Sequence, residues 1–241
     1  MTFTPRPGDS YSGAAEFRWP LDLPGQTALF DRLLEELNTA VVSDVLDELG
    51  YRNQVMRADI HPVYAGATLI GRAHTMASED VFGTTDTLYD VEIAAVDSIQ
   101  PNDVVVASTN QSTRTCLWGE LLSTVAVTNG GRGALIDGYS RDTSRIERLG
   151  FPVFSTGTKP VDSAGRGVVV SYGDPILFGG VQVQPGDIVL ADVDGVVVIP
   201  QPVEAEAITM ARLKVAREDA MREWLLQGRS LREAFDHFGT H

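Results

Sequence analysis

The order of the predicted helices and strands indicates a mixed α/β protein. In the first two thirds of the chain, stretches with apolar residues three and four positions apart alternate with short apolar runs. From Val168 to Pro200, short apolar strands follow one another, separated by Gly-Gly, Pro-Gly-Asp and Asp-Gly turn signals. Alternation followed by antiparallel strands is typical of layered sheets covered by helices. We therefore predict an α/β fold with a single core domain.

The N-terminal half begins with an irregular segment and continues with helices and strands. Residues 1–26 contain four prolines and scattered glycines, which predicts an irregular arm. The pattern from Thr27 to Leu49 is helical, with an N-cap at Asn38-Thr39 and a stop at Gly50. The elements predicted next are a strand over Ala67 to Met76 that ends in the polar loop Ser78-Glu79-Asp80, a helix over Thr87 to Ile99, and a buried strand over Val104 to Val106.

The C-terminal half continues this alternation and ends in helices. The predicted elements are a helix from about Leu121 to Val127 or Asn129, a strand over Gly133 to Gly138, a helix over Thr143 to Leu149, a strand over Phe151 to Phe154, the β-rich region, and a long amphipathic helix over Pro202 to Gln227 with a short helical tail. We expect three segments: the arm over 1–26, the α/β core over 27–200, and a helical extension over 201–241.

Composition and charge exclude several classes of function. The formal net charge is −14, and the basic residues are 17 Arg and two Lys without a basic run, which argues against a nucleic-acid surface. The longest apolar runs are too short to cross a bilayer, and the first residues lack the pattern of a secretory signal. A single cysteine, Cys116, agrees with a reducing compartment. We expect a cytoplasmic protein that binds neither nucleic acid nor membranes.

The segment from Trp118 to Asp142 contains the residues best suited to chemistry. Glu120 stands at a predicted helix start, and Arg141-Asp142 follows a predicted buried strand, with twenty residues between Glu120 and Arg141. Asp142 offers a hard oxygen ligand to Mg²⁺ or Mn²⁺, and Glu120 can hydrogen-bond the water around such an ion. Arg141 can hold a ketone or carboxylate oxygen and stabilise an enolate. The segment therefore predicts a site for a small carboxylate beside a divalent cation.

Other groups in this segment and beyond it complete the prediction for catalysis. The backbone amides from Gly119 to Leu122, including that of Leu121, lie at a helix start and can cradle a carboxylate. Stabilising a pyruvate enolate requires either a metal ion or a lysine Schiff base. Lys159 precedes a proline in a predicted loop, and Lys214 lies on a predicted exposed helix, so neither has the desolvated setting of an amine nucleophile. The metal route is therefore preferred.

These residues resemble a known family. Glu120, Leu121 and Leu122, followed by Arg141 and Asp142 at this spacing, resemble the RraA-like family, which contains the class II 4-hydroxy-4-methyl-2-oxoglutarate / 4-carboxy-4-hydroxy-2-oxoadipate aldolases and the regulator of ribonuclease activity A. The segments 149–154, 186–187 and 194–200 are also similar to family sequences, and the resemblance covers about residues 39–228. It implies an α/β/β/α swivelling-domain fold and a homotrimer or trimer-based homohexamer with active sites between subunits.

The resemblance also implies an activity and roles for individual residues. In the family's aldolases, the residue matching Asp142 binds the metal, the one matching Arg141 binds the keto acid, and the one matching Glu120 orients water at the metal. A glutamate from the C-terminal helix of a neighbouring subunit approaches the site, and Glu218 is the best match here. The implied function is a metal-dependent lyase that releases pyruvate from a 4-hydroxy-2-oxo acid, with oxaloacetate decarboxylation in the same site.

Several alternatives stay open at this point. Taken alone, Arg141-Asp142 is typical of a helix cap, Glu120 of a first-turn acid, and Glu218 of a surface acid. Within the resembling family, a non-catalytic regulator that binds a ribonuclease is an alternative, although that branch lacks the intact acid-and-Asp set. A sugar-acid lyase is a third reading. It rests on Lys159 and Arg166, which could bind a polyhydroxy acid. These two residues and Asp162 lie near the expected mouth of the site, and the sequence does not assign their roles.

Overall fold

The structure is a computed structural model that describes residues 23–83 and 87–239. The predicted arm therefore lies almost entirely outside the described residues. The helices are α1 Leu23–Glu36, α2 Thr39–Glu48, α3 Asp90–Asp97, α4 Glu120–Thr128, α5 Thr143–Leu149, α6 Glu204–Leu226 and α7 Leu231–Phe238. The strands are β1 His61–Pro62, β2 Leu69–Asp80, β3 Asp103–Ser108, β4 Cys116–Trp118, β5 Gly133–Ser140, β6 Val153–Thr158, β7 Gly167–Tyr172, β8 Ile176–Phe178, β9 Val181–Val183, β10 Ile188–Asp192 and β11 Gly195–Ile199.

One mixed sheet organises the fold. Within the described part of the chain it contains nine strands, with the order β1-β6-β5-β3-β2-β10-β11, while β4 pairs with β5 and β7 with β2. Strands β2, β3, β5 and β6 run parallel, whereas β10 and β11 are antiparallel to their neighbours. Strands β8 and β9 form a separate hairpin. The parallel strands place their carboxyl ends at one edge, which is where α/β proteins build their sites.

The apolar residues of the strands alternate between an inner core and two helix-covered outer faces. On β3, Val104 and Val106 belong to the inner core, whereas Val105 and Ala107 pack with residues from α3, α4 and α5. On β11 the same alternation directs every second residue toward α1, α2 and α6. Each face of the sheet is thus buried, as the period of two in a strand requires. The result is the predicted α/β/β/α arrangement around a nearly closed sheet.

The predicted elements are mostly confirmed, with differences at their ends. The Asn38 side chain accepts a hydrogen bond from the backbone N–H of Val41, so the predicted N-cap divides the first helical stretch into α1 and α2. The expected loop Ser78-Glu79-Asp80 is wrong, because these residues extend β2 and pair with β7. The strand predicted to end at Phe154 continues to Thr158 through pairing with β5. Residues 87–89, the predicted start of a helix, form a turn instead.

The C-terminal helices cover one side of the sheet. Helix α6 packs against α2 and α7, and Lys214 forms ion pairs with Asp44 and Glu48 at 3.1 and 3.2 Å. The Lys214 side chain is only 15% exposed, so its predicted exposure is wrong. Among the helices of the described residues, none combines the length and the apolar character needed to cross a bilayer.

Candidate active site

Two chain segments that follow parallel strands meet at the carboxyl edge of the sheet. Strand β4 pairs with the end of β5, with Trp118 opposite Ser140, and the backbone N–H of Arg141 donates to the Trp118 carbonyl at 2.9 Å. Gly119 and Glu120 follow β4, whereas Arg141 and Asp142 follow β5. The twenty residues between Glu120 and Arg141 therefore form α4 and the returning strand β5. This pairing brings the predicted acid beside the predicted Arg-Asp pair.

Asp142 does not act as an ordinary cap of the helix that it precedes. It occupies the N-cap position of α5 in the left-handed region, with φ 61° and ψ 28°, and its side chain makes no capping bond to α5. Instead, its Oδ2 accepts a hydrogen bond of 3.3 Å from the backbone N–H of Glu120, at the start of α4. A left-handed non-glycine residue costs on the order of 1 kcal/mol, and such residues cluster at functional sites. The Asp142 side chain therefore contacts the start of α4 and does not cap α5.

Gly119 permits the close approach of the Asp142 carboxylate to α4. A Cβ atom on Gly119 would lie 2.9 Å from Asp142 Oδ2 and 3.2 Å from Arg141 Cγ. The backbone of Gly119 is extended, with φ −156° and ψ −171°, which any residue can adopt. The glycine is thus required by the space that the carboxylate occupies and not by its own backbone conformation.

Arg141 lies between two carboxylates and is accessible to a ligand. Its side chain is 39% exposed, and its Nε lies 3.9 Å from Asp142 Oδ2. Its Nη2 lies 3.4 Å from Asp162 Oδ1, and its Nη1 donates to the Val161 carbonyl at 3.3 Å. Asp162, whose role the sequence left unassigned, is therefore a direct partner of the predicted substrate-binding arginine. This contact joins the loop after β6 to the site.

Glu120 has a partner that the sequence reasoning missed. Its Oε2 lies 3.3 Å from Nη1 of Arg145, which stands one turn into α5. The two residues line an open cleft of about 250 Å³ between α4 and α5. Neither Glu120 nor Arg145 is unusual at its own position in the sequence. The two become neighbours because β4 pairs with β5 and so brings the start of α4 beside α5.

The two leucines of the motif contribute different surfaces. Leu121 is 76% exposed, whereas Leu122 packs against the core beneath α4. Their backbone N–H groups belong to the first turn of α4, where intrahelical acceptors are lacking. The N–H of Glu120 already donates to Asp142, so this amide is not available to a carboxylate ligand. The amides at Leu121 and Leu122 stay candidates for that role.

The donor groups at this edge fit a magnesium-like ion. Mg²⁺ keeps most of its waters and is typically bound through one or two carboxylates. The Asp142 side chain is 41% exposed, and both of its contacts with the described residues involve Oδ2, so a ligand at Oδ1 displaces neither. Within residues 23–83 and 87–239, no group of three His, Cys, Asp or Glu side chains forms a shared metal cage. A hydrated ion held by Asp142 requires no such cage.

A buried acid, Glu92, extends the site on the side of α3. It is 9% exposed and shares a helix face with the buried Ala95 and Val96. Burial raises the pKa of Glu92 to about 7, with a further rise from the charge of Asp162 and an opposing effect of Arg141. Acids are common in the first turn of a helix, and apolar residues of α3 such as Ile93 are exposed, so no pattern in the sequence marks Glu92 as buried.

We expect the free energy of unfolding to report the burial of Glu92. Because its pKa in the folded protein is raised from 4.5 to about 7, the folded state holds the proton more tightly, and ionisation above pH 4.5 destabilises it. Glu92→Gln should therefore gain stability relative to the wild type between pH 4.5 and 7, by up to about 3 kcal/mol. Urea denaturation at pH 4.5 and pH 8 measures this change. Glu35→Gln, on the exposed face of α1, is the control, and an equal effect of Glu92→Gln at both pH values would contradict the expectation.

Two further residues have defined surroundings. Cys116 is buried, and burial raises the pKa of its thiol to about 11, despite the lowering effects of the Arg141 charge and of a hydrogen bond from the Trp118 backbone. Cys116 is thus a packed side chain, and its raised pKa disfavours the thiolate that a nucleophile requires. Glu218 lies on α6, which packs against α2 and α7. Its proposed approach to the site of a neighbouring subunit stays a prediction.

Comparison with known proteins identifies one family of similar sequences. The profile of the RraA-like family, described as Aldolase/RraA, matches residues 39–198. A Halalkalibacterium halodurans protein named "Putative 4-hydroxy-4-methyl-2-oxoglutarate aldolase" is 31% identical over 184 residues, covering 76% of this chain and 81% of that protein. Protein DlpA of Legionella pneumophila is 28% identical over 211 residues, covering 86% of this chain, which spans about a third (34%) of the length of DlpA.

A solved structure shows the same architecture. The crystal structure of Streptomyces coelicolor RraAS2, described as an unusual member of the RNase ES inhibitor RraA protein family, superimposes with a TM-score of 0.72. It is 30% identical, and the match covers 81% of this chain and 96% of that one. Because the family profile matches about two thirds of the sequence and includes Glu120, Arg141 and Asp142, the chain belongs to the RraA-like family.

Proposed function

We propose that this protein is a divalent-metal-dependent carbon–carbon lyase of the class II pyruvate aldolase type. It would cleave a 4-hydroxy-2-oxo acid to pyruvate and a carbonyl compound, and decarboxylate oxaloacetate as a side activity. The observation that carries the proposal is the left-handed Asp142, whose carboxylate lies against the start of α4 beside the accessible guanidinium of Arg141. The aldolase name of the Halalkalibacterium relative supports the same activity.

The residues of the site would bind the pyruvyl half of the substrate and the metal ion. Arg141 would bind the carboxylate or keto oxygen of the pyruvyl half, which a guanidinium recognises with two parallel hydrogen bonds. The first-turn N–H groups of Leu121 and Leu122 would donate hydrogen bonds to the substrate carboxylate. Asp142 would hold the ion, with Glu120 hydrogen-bonding to water beside it. When bound, Mg²⁺ or Mn²⁺ supplies the electrophilic polarisation of the keto group.

The proton transfers can be assigned to the chain's own carboxylates. Cleavage begins when the 4-hydroxyl group loses its proton, which a water hydrogen-bonded to Glu120 or Asp142 would accept. The C3–C4 bond then breaks, its electron pair passes into the pyruvyl enolate, and Arg141 stabilises the negative charge. Protonation at C3 completes pyruvate. With oxaloacetate, carbon dioxide leaves in place of the carbonyl compound and the same enolate is formed.

The environments of the two lysines argue against a Schiff-base route. Burial lowers the pKa of Lys214, but its bonds to Asp44 and Glu48 outweigh this effect and leave the pKa raised. The Lys159 amine donates to the Thr113 carbonyl at 2.6 Å. An amine nucleophile needs a lowered pKa in a desolvated pocket, and the surroundings of Lys214 act in the opposite direction. Enolate stabilisation by a metal ion is therefore the better explanation.

The proposal extends to assembly and location. A homotrimer or trimer-based homohexamer would place Glu218 of one subunit near the Arg141 site of the next. Size-exclusion chromatography with light scattering measures that state directly. A cytoplasmic location is proposed on the basis of the single buried cysteine, Cys116.

Pyruvate release in a lactate-dehydrogenase-coupled assay tests the activity. Oxaloacetate and 4-hydroxy-4-methyl-2-oxoglutarate are supplied with Mg²⁺, with Mn²⁺, or with EDTA, and the rate without enzyme is subtracted. We expect release that depends on the metal, and faster turnover of the hydroxy acid than of oxaloacetate would favour an aldolase. Absence of release from both substrates by the folded protein would contradict the lyase.

The similarity to RraAS2 favours one alternative function, a non-catalytic protein that binds a ribonuclease. The presence of Glu120, Arg141 and Asp142 together supports the enzyme instead. A pull-down with a ribonuclease as bait, in parallel with the coupled assay, separates the two functions: tight binding without turnover indicates the regulator. A polyhydroxy-acid panel in the same assay tests the third reading, a sugar-acid lyase.

A further inference from the structure

We propose that Asp162 acts as an intramolecular gate on Arg141, occupying the guanidinium until the carboxylate of a 2-oxo acid displaces it. This inference rests on the proposed function, because it assumes that Arg141 is the group that binds the substrate anion. It assigns a role to the loop over residues 159–166, which the sequence left unexplained. The Asp162 carboxylate would lower the affinity for every carboxylate ligand and so set the substrate concentration at which the enzyme operates.

The first argument is chemical: Asp162 presents to Arg141 the same group that a substrate presents. Its Oδ1 lies 3.4 Å from Nη2 of Arg141. The neighbouring Val161 carbonyl accepts a hydrogen bond from Nη1 at 3.3 Å. The loop thus places one oxygen atom near each terminal nitrogen of the guanidinium, one through an ion pair and one through a hydrogen bond. A carboxylate that binds Arg141 through both nitrogens competes with these two contacts.

The second argument is that the contact is weak enough to be displaced. The Arg141 and Asp162 side chains are 39% and 47% exposed, and the separation of 3.4 Å is longer than that of a strong charge-assisted hydrogen bond. Ion pairs with this exposure contribute little to stability. Asp162 is therefore suited to a contact that opens and closes, whereas a permanent structural pair would be shorter and buried.

The third argument is that the loop holds Asp162 near Arg141 without fixing it there. The loop is anchored at its two ends: the backbone N–H of Lys159 donates to the Ser140 carbonyl at 3.0 Å, and the Arg166 carbonyl accepts from Val81 at 2.9 Å. Between these anchors, the Asp162 carboxylate accepts hydrogen bonds from the Tyr89 hydroxyl at 3.3 Å and from the N–H of Ser163 at 2.9 Å. Both bonds exist beside the Arg141 contact, so the carboxylate keeps polar partners when it leaves Arg141.

A neutral substitution separates a gate from a support, because the two roles predict opposite changes. Asp162→Asn removes the charge, keeps one side-chain oxygen that can accept from the Ser163 N–H, and presents an amide that can donate to the Tyr89 hydroxyl. If Asp162 is a gate, the variant binds pyruvate about two- to fivefold more tightly, the range expected for an exposed ion pair. It also shows a KM lowered by a similar factor, with kcat nearly unchanged. If Asp162 instead holds Arg141 in place for the substrate, the variant binds pyruvate more weakly.

The experiment compares wild type, Asp162→Asn and Asp194→Asn in excess Mg²⁺. Pyruvate binding is followed by saturation-transfer NMR, which suits weak ligands, and KM and kcat are measured with oxaloacetate. Asp194 is an exposed residue in the turn between β10 and β11, beside the first residues of β2 and thus at the opposite end of the sheet from the site. It controls for the loss of one negative charge, and thermal melts confirm that each variant is folded.

Each outcome decides the proposal. Tighter pyruvate binding by Asp162→Asn, with Asp194→Asn unchanged, supports the gate. Unchanged or weaker binding by Asp162→Asn overturns the gate, and leaves the lyase intact if the wild type releases pyruvate from oxaloacetate. A similar gain in both variants also overturns it, because the effect is then one of net charge. Absence of pyruvate binding and of turnover in all three proteins overturns both the gate and the proposed function.

Discussion

Asp142→Ala is expected to lower metal-dependent pyruvate release at least about 10³-fold while the protein stays folded. A loss of that size corresponds to about 4 kcal/mol of transition-state stabilisation, in line with the several kcal/mol that a bound metal ion supplies. Asp142 is the carboxylate that would hold the ion, and its position is fixed by the bond from the Glu120 amide and by the space at Gly119. Its side chain is 41% exposed, so its removal leaves the core intact.

A second substitution, Asp142→Asn, separates the role of the Asp142 carboxylate from the effect of its left-handed backbone conformation. Alanine in the left-handed region costs about 1 kcal/mol, whereas asparagine adopts that region more readily. Asp142→Asn therefore preserves the φ of 61° and an oxygen for the Glu120 amide, but removes the charge that binds the metal. We expect both variants to be inactive and the asparagine variant to be the more stable. Asp194→Ala controls for the loss of an acid elsewhere, and an Asp142→Asn protein with more than a tenth of the wild-type rate would show that the carboxylate is not the metal ligand.

Much of the fold was predictable, because local patterns and core burial point to the same structure. The alternation of apolar residues along β3 and β11 matches their two buried faces. Asn38 has the chemistry of an N-cap, and the structure uses it as one. The spacing between Glu120 and Arg141 is the length of one helix and one returning strand, but the two segments meet through the pairing of β4 with β5, and β4 was not among the predicted elements.

The contacts that the sequence did not predict depend on residues far apart in the chain. Asp162 reaches Arg141 across a loop whose path is set by the pairing of β2 with β7 and of β5 with β6. The polar residues Ser78 to Asp80 carry no apolar alternation, yet they form strand because β7 supplies their hydrogen-bond partners. Glu92 has the sequence context of a first-turn acid, and only the packing of α3 buries it. Composition and spacing do not encode such tertiary neighbours.

Gly119→Ala is expected to lower kcat/KM by about 10- to 100-fold with little change in stability. The added Cβ would lie 2.9 Å from Asp142 Oδ2, a distance that cannot be retained, so the carboxylate must shift. Misplacement of a catalytic group by about 1 Å typically costs about 100-fold in rate. The atom that must shift is the end of a half-exposed side chain, and the backbone of Gly119 is already in a conformation that alanine adopts. The free energy of unfolding should therefore change by no more than about 1 kcal/mol.

The matched control is Gly83→Ala. A Cβ on Gly83 would meet no atom of the described residues within 4 Å, and Gly83 does not have a left-handed φ, so it tests the general effect of replacing glycine in a loop. The coupled assay and urea denaturation are applied to both variants. A Gly119→Ala protein with wild-type activity would show that the position of the Asp142 carboxylate against α4 is not needed for turnover. A large loss of stability would show that Gly119 is needed mainly for folding and not for the geometry of the site.

A double-mutant cycle connects this expectation to the first one. Once Asp142 is alanine, the closest atom that a Cβ on Gly119 would meet has been removed. What then remains is the contact with the Arg141 side chain, at 3.2 Å from Cγ. Adding Gly119→Ala to Asp142→Ala should therefore cost much less activity than adding it to the wild type, and the two effects should be strongly non-additive. Additive losses would mean that Gly119 does not act through the Asp142 carboxylate. Its effect on activity would then come from the start of α4 or from the position of the Arg141 side chain.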